Sequence, residues 1–427
     1  MDICITPRAL HGSVRAPSSK SMTHRELICA ALARGESVVD NVSVSKDIEA
    51  TIRCLRALGT SIEPAPSAYP GRQAYRTGGG VQKQEGPAVC PCGESGSTLR
   101  FLIPIGLYSG NCVTYTGEGR LGERPLSPYY AVFREKGVGY VAADGLPLTA
   151  EGALPPGRYE LPGDVSSQFF SGLLFVLPLL AGDSELVSTT ELESESYIRM
   201  TTAAMARHGV RTDNPERGRW VIPGGQAYRS GRFSVEGDWS QGAFWLSAGL
   251  LGGAVAVEGL PERSEQGDRV IGDILLRMGG VIRTEGETVS ASASDTAGTV
   301  IDAEDCPDLV PVLAALAAVS RGRTEIIHAA RVRLKECDRL HAMASELTKL
   351  GAPVEEKPDG LVIDGRDTLS GGTVDGWNDH RIAMALAAVS ARCTGPLVIR
   401  GADCVKKSYP AFWEDFRRLG GLAEERD

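Results

Sequence analysis

Pro17-Ser18-Ser19-Lys20-Ser21-Met22-Thr23-His24-Arg25 runs directly into Leu27, Ile28, Ala30, Ala31 and Leu32. Small hydroxyl residues ahead of an apolar run mark a helix N-terminus. Free backbone N–H groups and the positive dipole end gather at such a terminus and favour an anion. Ser21 and Arg25 are four apart and share a face, with Lys20 beside them in the first turn. Two cations and several hydroxyls at one helix start fit a phosphate or carboxylate ligand. They equally fit a serine cap flanked by solvated cations.

The opening recurs. Glu94-Ser95-Gly96-Ser97, Ser166-Ser167-Gln168, Asp238-Trp239-Ser240-Gln241, Pro307-Asp308 and Asn378-Asp379-His380-Arg381 follow at intervals of about 70 residues, each before an Ala- or Leu-rich stretch. A second helix follows within each interval and usually ends on Gly: Ile48 to Gly59, Tyr197 to Gly209, Val270 to Gly279, Leu340 to Gly351. In the last, Leu340, Met343, Ala344, Leu347 and Leu350 keep a helical stripe, with Gly351 as C′ cap. Val210-Arg211-Thr212 and Val281-Ile282-Arg283 then read as strands. The chain is thus six β-α-β-α-β-β units of the α/β class. Six are too many for one core, which predicts two lobes of three. One lobe is expected over 17–235, the other over 1–16 together with 236–427. Pro223 to Gly237 would be a crossover, and Ile3 to Ile5 would join the C-terminal lobe.

Composition narrows the function. The 427 residues are 42% hydrophobic and 23% charged, as in ordinary soluble proteins. A net charge of −9 argues against nucleic acid or an anionic membrane as partner. An anionic ligand must therefore be held by local cations. The first residues show no basic region ahead of an apolar core, so no secretory signal is expected. The most apolar run, Phe169 to Ala181, is broken by Ser171, Gly172 and Pro178 and is too short for a membrane span. Ten cysteines lack paired spacing, and Cys90-Pro91-Cys92 has no second pair to complete a metal site. They read as reduced thiols of a cytoplasmic protein.

Several constellations carry chemistry. In Lys335-Glu336-Cys337-Asp338-Arg339, Lys335 and Arg339 are i, i+4 and Glu336 and Arg339 are i, i+3, so all three can share one side of a helix. A solvated salt-bridge network is the plainer alternative. In Asn378-Asp379-His380-Arg381, Asp379 is a good N-cap, while Arg381 opposes the helix dipole unless an anion sits there. Asp308 heads an apolar helix, as an N-cap or as a general base. Arg124 and Lys407 stand in loops. Gly117-Glu118-Gly119-Arg120-Leu121-Gly122 matches a dinucleotide fingerprint, but Glu123-Arg124-Pro125 follows it in place of an apolar helix. No phosphate-loop motif of nucleotide-dependent kinases occurs.

Together these motifs resemble the 5-enolpyruvylshikimate-3-phosphate synthase family over nearly the whole chain. The resemblance implies a two-lobed inside-out α/β barrel (the enolpyruvyl transferase fold) with three units per lobe, helices within and sheets outside. The active site would lie in the interlobe cleft. It implies that shikimate 3-phosphate is held by Lys20, Ser21, Arg25, Ser166, Ser167, Gln168, Ser194, Tyr197, Asp308 and Lys335. Phosphoenolpyruvate would be held by Lys20, Gly96, Arg124, Gln168, Arg339, Arg381 and Lys407. In the family's reaction the 5-hydroxyl attacks C2 of phosphoenolpyruvate while C3 gains a proton, and the adduct then expels phosphate. Asp308 is assigned the hydroxyl proton, Glu336 the C3 proton and Lys20 a neutralising role. Neither metal nor cofactor is required, and a cytoplasmic monomer is expected.

Three positions depart from the family pattern. Glu94 replaces a common Asn, Phe101 a common Pro, and Arg331 an Asn of some relatives, so glyphosate sensitivity and a role for Arg331 do not carry over. The sister enzyme acting on UDP-N-acetylglucosamine shares the fold. It typically has Lys-Asn where Lys20-Ser21 stands, and often a Cys in the loop occupied here by Gly119 to Gly122. A non-catalytic anion-binding relative is the remaining alternative, and the presence of both Asp308 and Glu336 disfavours it.

Overall fold

The computed structural model describes residues 1–142 and 145–426. The chain divides into two compact units, Ser18–Val235 and Met1–Pro17 with Glu236–Asp427. In Ser18–Val235 the helices are α1 (Lys20–Leu32), α2 (Lys46–Ala57), α3 (Gly96–Ser109), α4 (Ser127–Lys136), α5 (Ser167–Val176) and α6 (Glu195–Arg207). The other unit holds α7 (Trp239–Leu250), α8 (Ile271–Arg277), α9 (Val310–Ala317), α10 (Arg339–Lys349), α11 (His380–Val389) and α12 (Phe412–Arg418).

Six four-stranded sheets are formed among the described residues, three in each unit. All share one topology: a strand, a parallel neighbour, then two antiparallel strands. In one, Arg232–Ser234 runs parallel to Ser37–Val42, which pairs antiparallel with Gln73–Gly78 and through it with Ser61–Ala65. Asp2–Thr6 lies between Leu397–Arg400 and Leu422–Arg426, antiparallel to both, and His11–Arg15 runs parallel to Ala254–Glu258. Chain termini thus complete sheets begun far away in sequence. Within Pro223 to Gly237, the expected crossover, Arg232–Ser234 is a strand.

The two helices of a repeat play different parts. α3, α5, α7, α9 and α11 are apolar nearly all round and buried along most of their length, as helices without a wet face must be. α2, α6 and α10 bury one stripe and expose the other. α1 is the exception: its buried residues include Thr23, His24, Arg25 and Glu26. Each finds a partner, as buried polar groups require: Thr23 Oγ1 donates to Ser19 O, His24 Nδ1 meets Thr51 Oγ1, Arg25 Nε donates to Thr201 Oγ1 and Glu26 accepts from Arg207. Within their units α3 packs on α5, α5 on α6, and α1 on α6 and α2, while α7, α9 and α11 pack on one another.

The expected second helices form one or two residues from where the periodicity puts them. Gly351, at φ +91°, ends α10 in the left-handed region that glycine adopts without strain. Val210-Arg211-Thr212 is not a strand; the strand begins at Asp213. Val210 N turns back to Met205 O, closing α6, and Arg211 N donates to the Gln226 side chain, so neither amide is left for a ladder.

Candidate active site

Of the six openings, five cap their helices with side chains. Ser19, Ser95, Ser166, Asp238 and Asp379 accept from backbone N–H groups two or three residues on. Asp308 does not cap. It sits in a tight turn, Pro307–Leu309, just before α9, and its side chain turns to cations instead. Oδ1 accepts from Arg339 Nη1 at 2.9 Å and faces Lys335 Nζ at 3.6 Å, while Oδ2 accepts from Arg381 Nη2 at 2.9 Å. Arg339 Nη2 also donates to Glu336 Oε2 at 2.7 Å and Nε to Asp379 Oδ2 at 2.8 Å. Arg381 Nη2 reaches Ser240 Oγ at 3.0 Å, and Lys407 Nζ is held by the Asn378 carbonyl at 2.7 Å. The first turns of α7, α10 and α11 and the turn before α9 therefore meet at one charged centre.

This cluster is not the solvated network of the plainer reading: the Arg339 side chain is 1% exposed and those of Asp308 and Glu336 14%. Nor do Lys335, Glu336 and Arg339 share a helix face as their spacing suggests. The helix begins only at Arg339, capped by Asp338, and Arg339 and Asp308 draw the preceding loop residues together. Burial works against the Arg339 charge, but Asp379, Glu336 and Asp308 hold it well above its ordinary pKa.

The Ser18–Val235 unit carries its own cluster. Lys20 Nζ is paired with Asp47 Oδ2 at 2.7 Å, across from the start of α1 to the start of α2. Arg25 Nη1 donates to Ser21 O at 2.7 Å and Nη2 to Tyr197 O at 2.8 Å, and its guanidinium lies 5.1 Å from the Phe101 ring centre. Burial lowers the Arg25 pKa to about 10, so it stays charged near neutrality. Gln168 Oε1 accepts from Arg100 Nη1 at 2.8 Å, while its Nε2 donates to Ser97 Oγ at 2.9 Å. Arg124 comes so close to Gly96 that a Cβ there would stand 2.7 Å from its Nη1. Burial, then the neighbouring Arg124 charge, pushes Arg100 down to about 9. Ser167 lies in the first turn of α5. Ser194 precedes α6 at φ +51° without a side-chain cap.

A hydroxyl chain ties these starts together: His24 Nδ1 to Thr51 Oγ1, Thr51 to Thr98, and Thr98 to Ser95, the cap beside Gly96. Most sequence-derived site residues thus join their unit's cluster, while Ser194 stands just ahead of α6 and Lys407 on the carbonyl before the α11 cap. Asp47, Asp379, Ser240, Ser97 and Arg100 complete the clusters without a sequence signal of their own, apart from the caps. Of the departures, Phe101 is core, edge-on to Phe175. Glu94 lies against Gly119, where a Cβ would stand 2.8 Å from its Oε2. Asp302, Glu304 and His328 place potential metal-ligand atoms within 4.8 Å of one another.

A family model described as EPSP synthase (3-phosphoshikimate 1-carboxyvinyltransferase) matches residues 5–416. The chain belongs to the EPSP synthase family. Among curated relatives, the 3-phosphoshikimate 1-carboxyvinyltransferase of Clostridium kluyveri is 51% identical over 99% of this chain and 98% of its own. The protein of the same name from Clostridioides difficile is 44% identical over the same shares. A solved EPSP synthase from Acinetobacter baumannii is 25% identical and superposes with a TM-score of 0.82, covering 99% of this chain and 100% of that one. The family fold is therefore that of the two-lobed enolpyruvyl transferases. Among the described residues no helix is long and apolar enough to cross a membrane.

Proposed function

We propose that this chain transfers the enolpyruvyl group of phosphoenolpyruvate to the 5-hydroxyl of shikimate 3-phosphate and releases phosphate, a step of aromatic amino acid biosynthesis. Family membership supports the reaction. Asp308, half-buried among Arg339, Arg381 and Lys335 with Glu336 also held by Arg339, carries the assignment of roles. Two polyanions repel each other unless fixed cations lie beside both. Arg339, Arg381 and Lys407 supply such cations in one unit and Lys20 and Arg124 in the other, each with the ligand assigned to it above.

Without substrate, Asp308 neutralises Arg339 and Arg381. Anionic oxygens of phosphoenolpyruvate arriving on these arginines compete for their N–H donors. As those bonds loosen, Asp308 becomes a better acceptor for the 5-hydroxyl proton. Glu336, loosened from Arg339 as phosphoenolpyruvate takes over that guanidinium, takes up a proton from water and passes it to C3. Lys20, anchored by Asp47, offsets the charge that builds as the adduct forms. The same reading makes the protein a cytoplasmic monomer, and ten free thiols fit a reducing compartment.

The test is phosphate release with both substrates, each omitted in turn, and with UDP-N-acetylglucosamine as the alternative acceptor. Release only when phosphoenolpyruvate and shikimate 3-phosphate are both present is expected. Asp308→Asn should bind both and turn over more slowly by about 10²–10⁴-fold; unchanged turnover would remove Asp308 from its role.

A further inference from the structure

Trp377 and Asn378 are consecutive non-glycine residues in the left-handed region, at φ +52° and +49°. Such backbone is strained for a bulky side chain and persists only where the surroundings hold it. The two residues form the turn between the strand Gly372–Asp375 and α11, closed by Asp379 N donating to Gly376 O at 2.8 Å. What the turn presents belongs to the site. The Asn378 carbonyl accepts from Lys407 Nζ at 2.7 Å, and Asp379 caps α11 while its carboxylate holds Arg339.

One side chain grips this turn. Glu346, on α10, is fully buried. Its Oε1 accepts from Trp377 Nε1 at 2.7 Å and its Oε2 from Asp375 N at 3.0 Å, one bond on each side of Gly376. Lys349 Nζ donates to both oxygens at 2.8 Å. An ordinary ion pair on a helix surface needs neither burial nor an indole, yet the Glu346 side chain is 0% exposed where that of Lys349 is 50%. The ring of His341, also on α10, meets Trp377 edge-on with centres 5.6 Å apart. Asp375 Oδ1 accepts from Trp377 N at 2.6 Å and completes the hold. The helix that starts with Arg339 thus also fixes the turn that supplies that arginine's counterion.

We propose that Glu346 is a positioning residue for phosphoenolpyruvate binding, the side chain that locks the strained turn so that the Asn378 carbonyl meets Lys407 and the Asp379 carboxylate meets Arg339. The inference rests on the phosphoenolpyruvate contacts assigned above to Lys407, Arg339 and Arg381. The Glu346 carboxylate offers an oxygen to each of the two N–H groups of the turn. A glutamine in its place has one oxygen for both and directs its own NH2 toward the other. The turn then relaxes toward ordinary backbone and the carbonyl leaves Lys407. The α11 cap and the Arg339 counterion, being one carboxylate, shift with it.

Two measurements on the intact enzyme test this. The first needs no turnover: the indole N–H resonances of protein labelled with ¹⁵N-tryptophan. The chain has five tryptophans, and the resonance missing from Trp377→Phe belongs to Trp377. It is expected downfield in the wild type, as for an N–H bonded to a carboxylate, and should move upfield in Glu346→Gln. The second is steady-state kinetics. Glu346→Gln and Trp377→Phe should raise KM for phosphoenolpyruvate by about tenfold or more, as a displacement on the order of 1 Å in a positioning group can. KM for shikimate 3-phosphate should change little. A purely packing role for Glu346 would lower the urea midpoint and leave both constants in place. An unmoved indole resonance in Glu346→Gln, an unchanged KM for phosphoenolpyruvate in that variant, or equal rises in both constants overturns the proposal. If Glu346→Gln fails to fold, Trp377→Phe, which keeps a ring beside His341 and loses the N–H, decides alone by the same comparison of constants. Should the wild type release no phosphate from the two substrates, the functional reading fails by that result, and the indole resonance still reports whether Glu346 holds the turn.

Discussion

Arg339 Nε donates to Asp379 Oδ2 at 2.8 Å, and neither side chain is more than 1% exposed. The other carboxylate oxygen, Asp379 Oδ1, accepts from Arg381 N at 2.9 Å and so caps α11. One carboxylate thus fixes the direction of one arginine and the helix start that carries the other. Asp379→Asn keeps the size and one acceptor but removes the charge. Breaking a buried pair from one side costs about 3–5 kcal/mol, much of it the stranded charge left behind. Urea denaturation should show a loss of that order, together with a raised KM for phosphoenolpyruvate. Stability within about 0.5 kcal/mol of wild type would mean that the pair is not held as described.

Gly96 is a matter of space. A methyl group there would meet Arg124 Nη1 at 2.7 Å, with Gln168 Oε1 at 3.5 Å behind it. Arg124 must move, and it is one of the two cations of this unit, with Lys20, assigned to phosphoenolpyruvate. Gly96→Ala should fold normally and raise KM for phosphoenolpyruvate about tenfold or more, with KM for shikimate 3-phosphate changed far less. Equal increases in both constants would point to a general distortion of the α3 start.

How far the chain could be read follows from what each feature depends on. Helix openings were legible because a cap is local: Ser95 and Thr98 N are three residues apart and make the bond their types suggest. The identity of the sheets followed from repetition of the unit. Asp308 was ambiguous because a cap and a counterion look alike in sequence, and its real partners stand 31 and 73 residues further on. Asp379 was legible as a cap and silent as the partner of Arg339 for the same reason. Asp47 and Arg100 gave no sign, since nothing local tells a buried carboxylate or guanidinium from a solvated one. Val210 to Thr212 misled because β-like residues near a helix end committed their N–H groups to that end and to Gln226.

Glu336 can be separated from Asp308 by isotope. Its Oε2 is held by Arg339 Nη2 at 2.7 Å, and Glu336→Gln keeps an acceptor for that bond while losing the capacity to take up and release a proton. Turnover should fall by about 10²–10⁴-fold with KM for shikimate 3-phosphate little changed. In deuterated water, incorporation of deuterium at C3 during turnover should drop in parallel. Full-rate incorporation in Glu336→Gln would assign the C3 proton to another group.

His24 links the site to stability. Its ring is buried, with Nδ1 2.7 Å from Thr51 Oγ1 and Nε2 without a partner. Burial first, then the charges of Lys20 and Arg25, holds its pKa well below the ordinary 6.5. In the folded state the ring is therefore neutral, while in the unfolded chain it takes up a proton as pH drops through 6.5. The unfolded state then binds more protons than the folded one, so stability falls with decreasing pH below that point, by up to about 1.4 kcal/mol per unit, and is flat in this respect above it. His24→Gln retains a hydrogen-bonding group but has no proton to gain. Urea midpoints at about pH 7.5 and about pH 5.5 should draw together in the variant relative to the wild type by that amount. If the two proteins lose stability equally on acidification, His24 is not the group that senses pH.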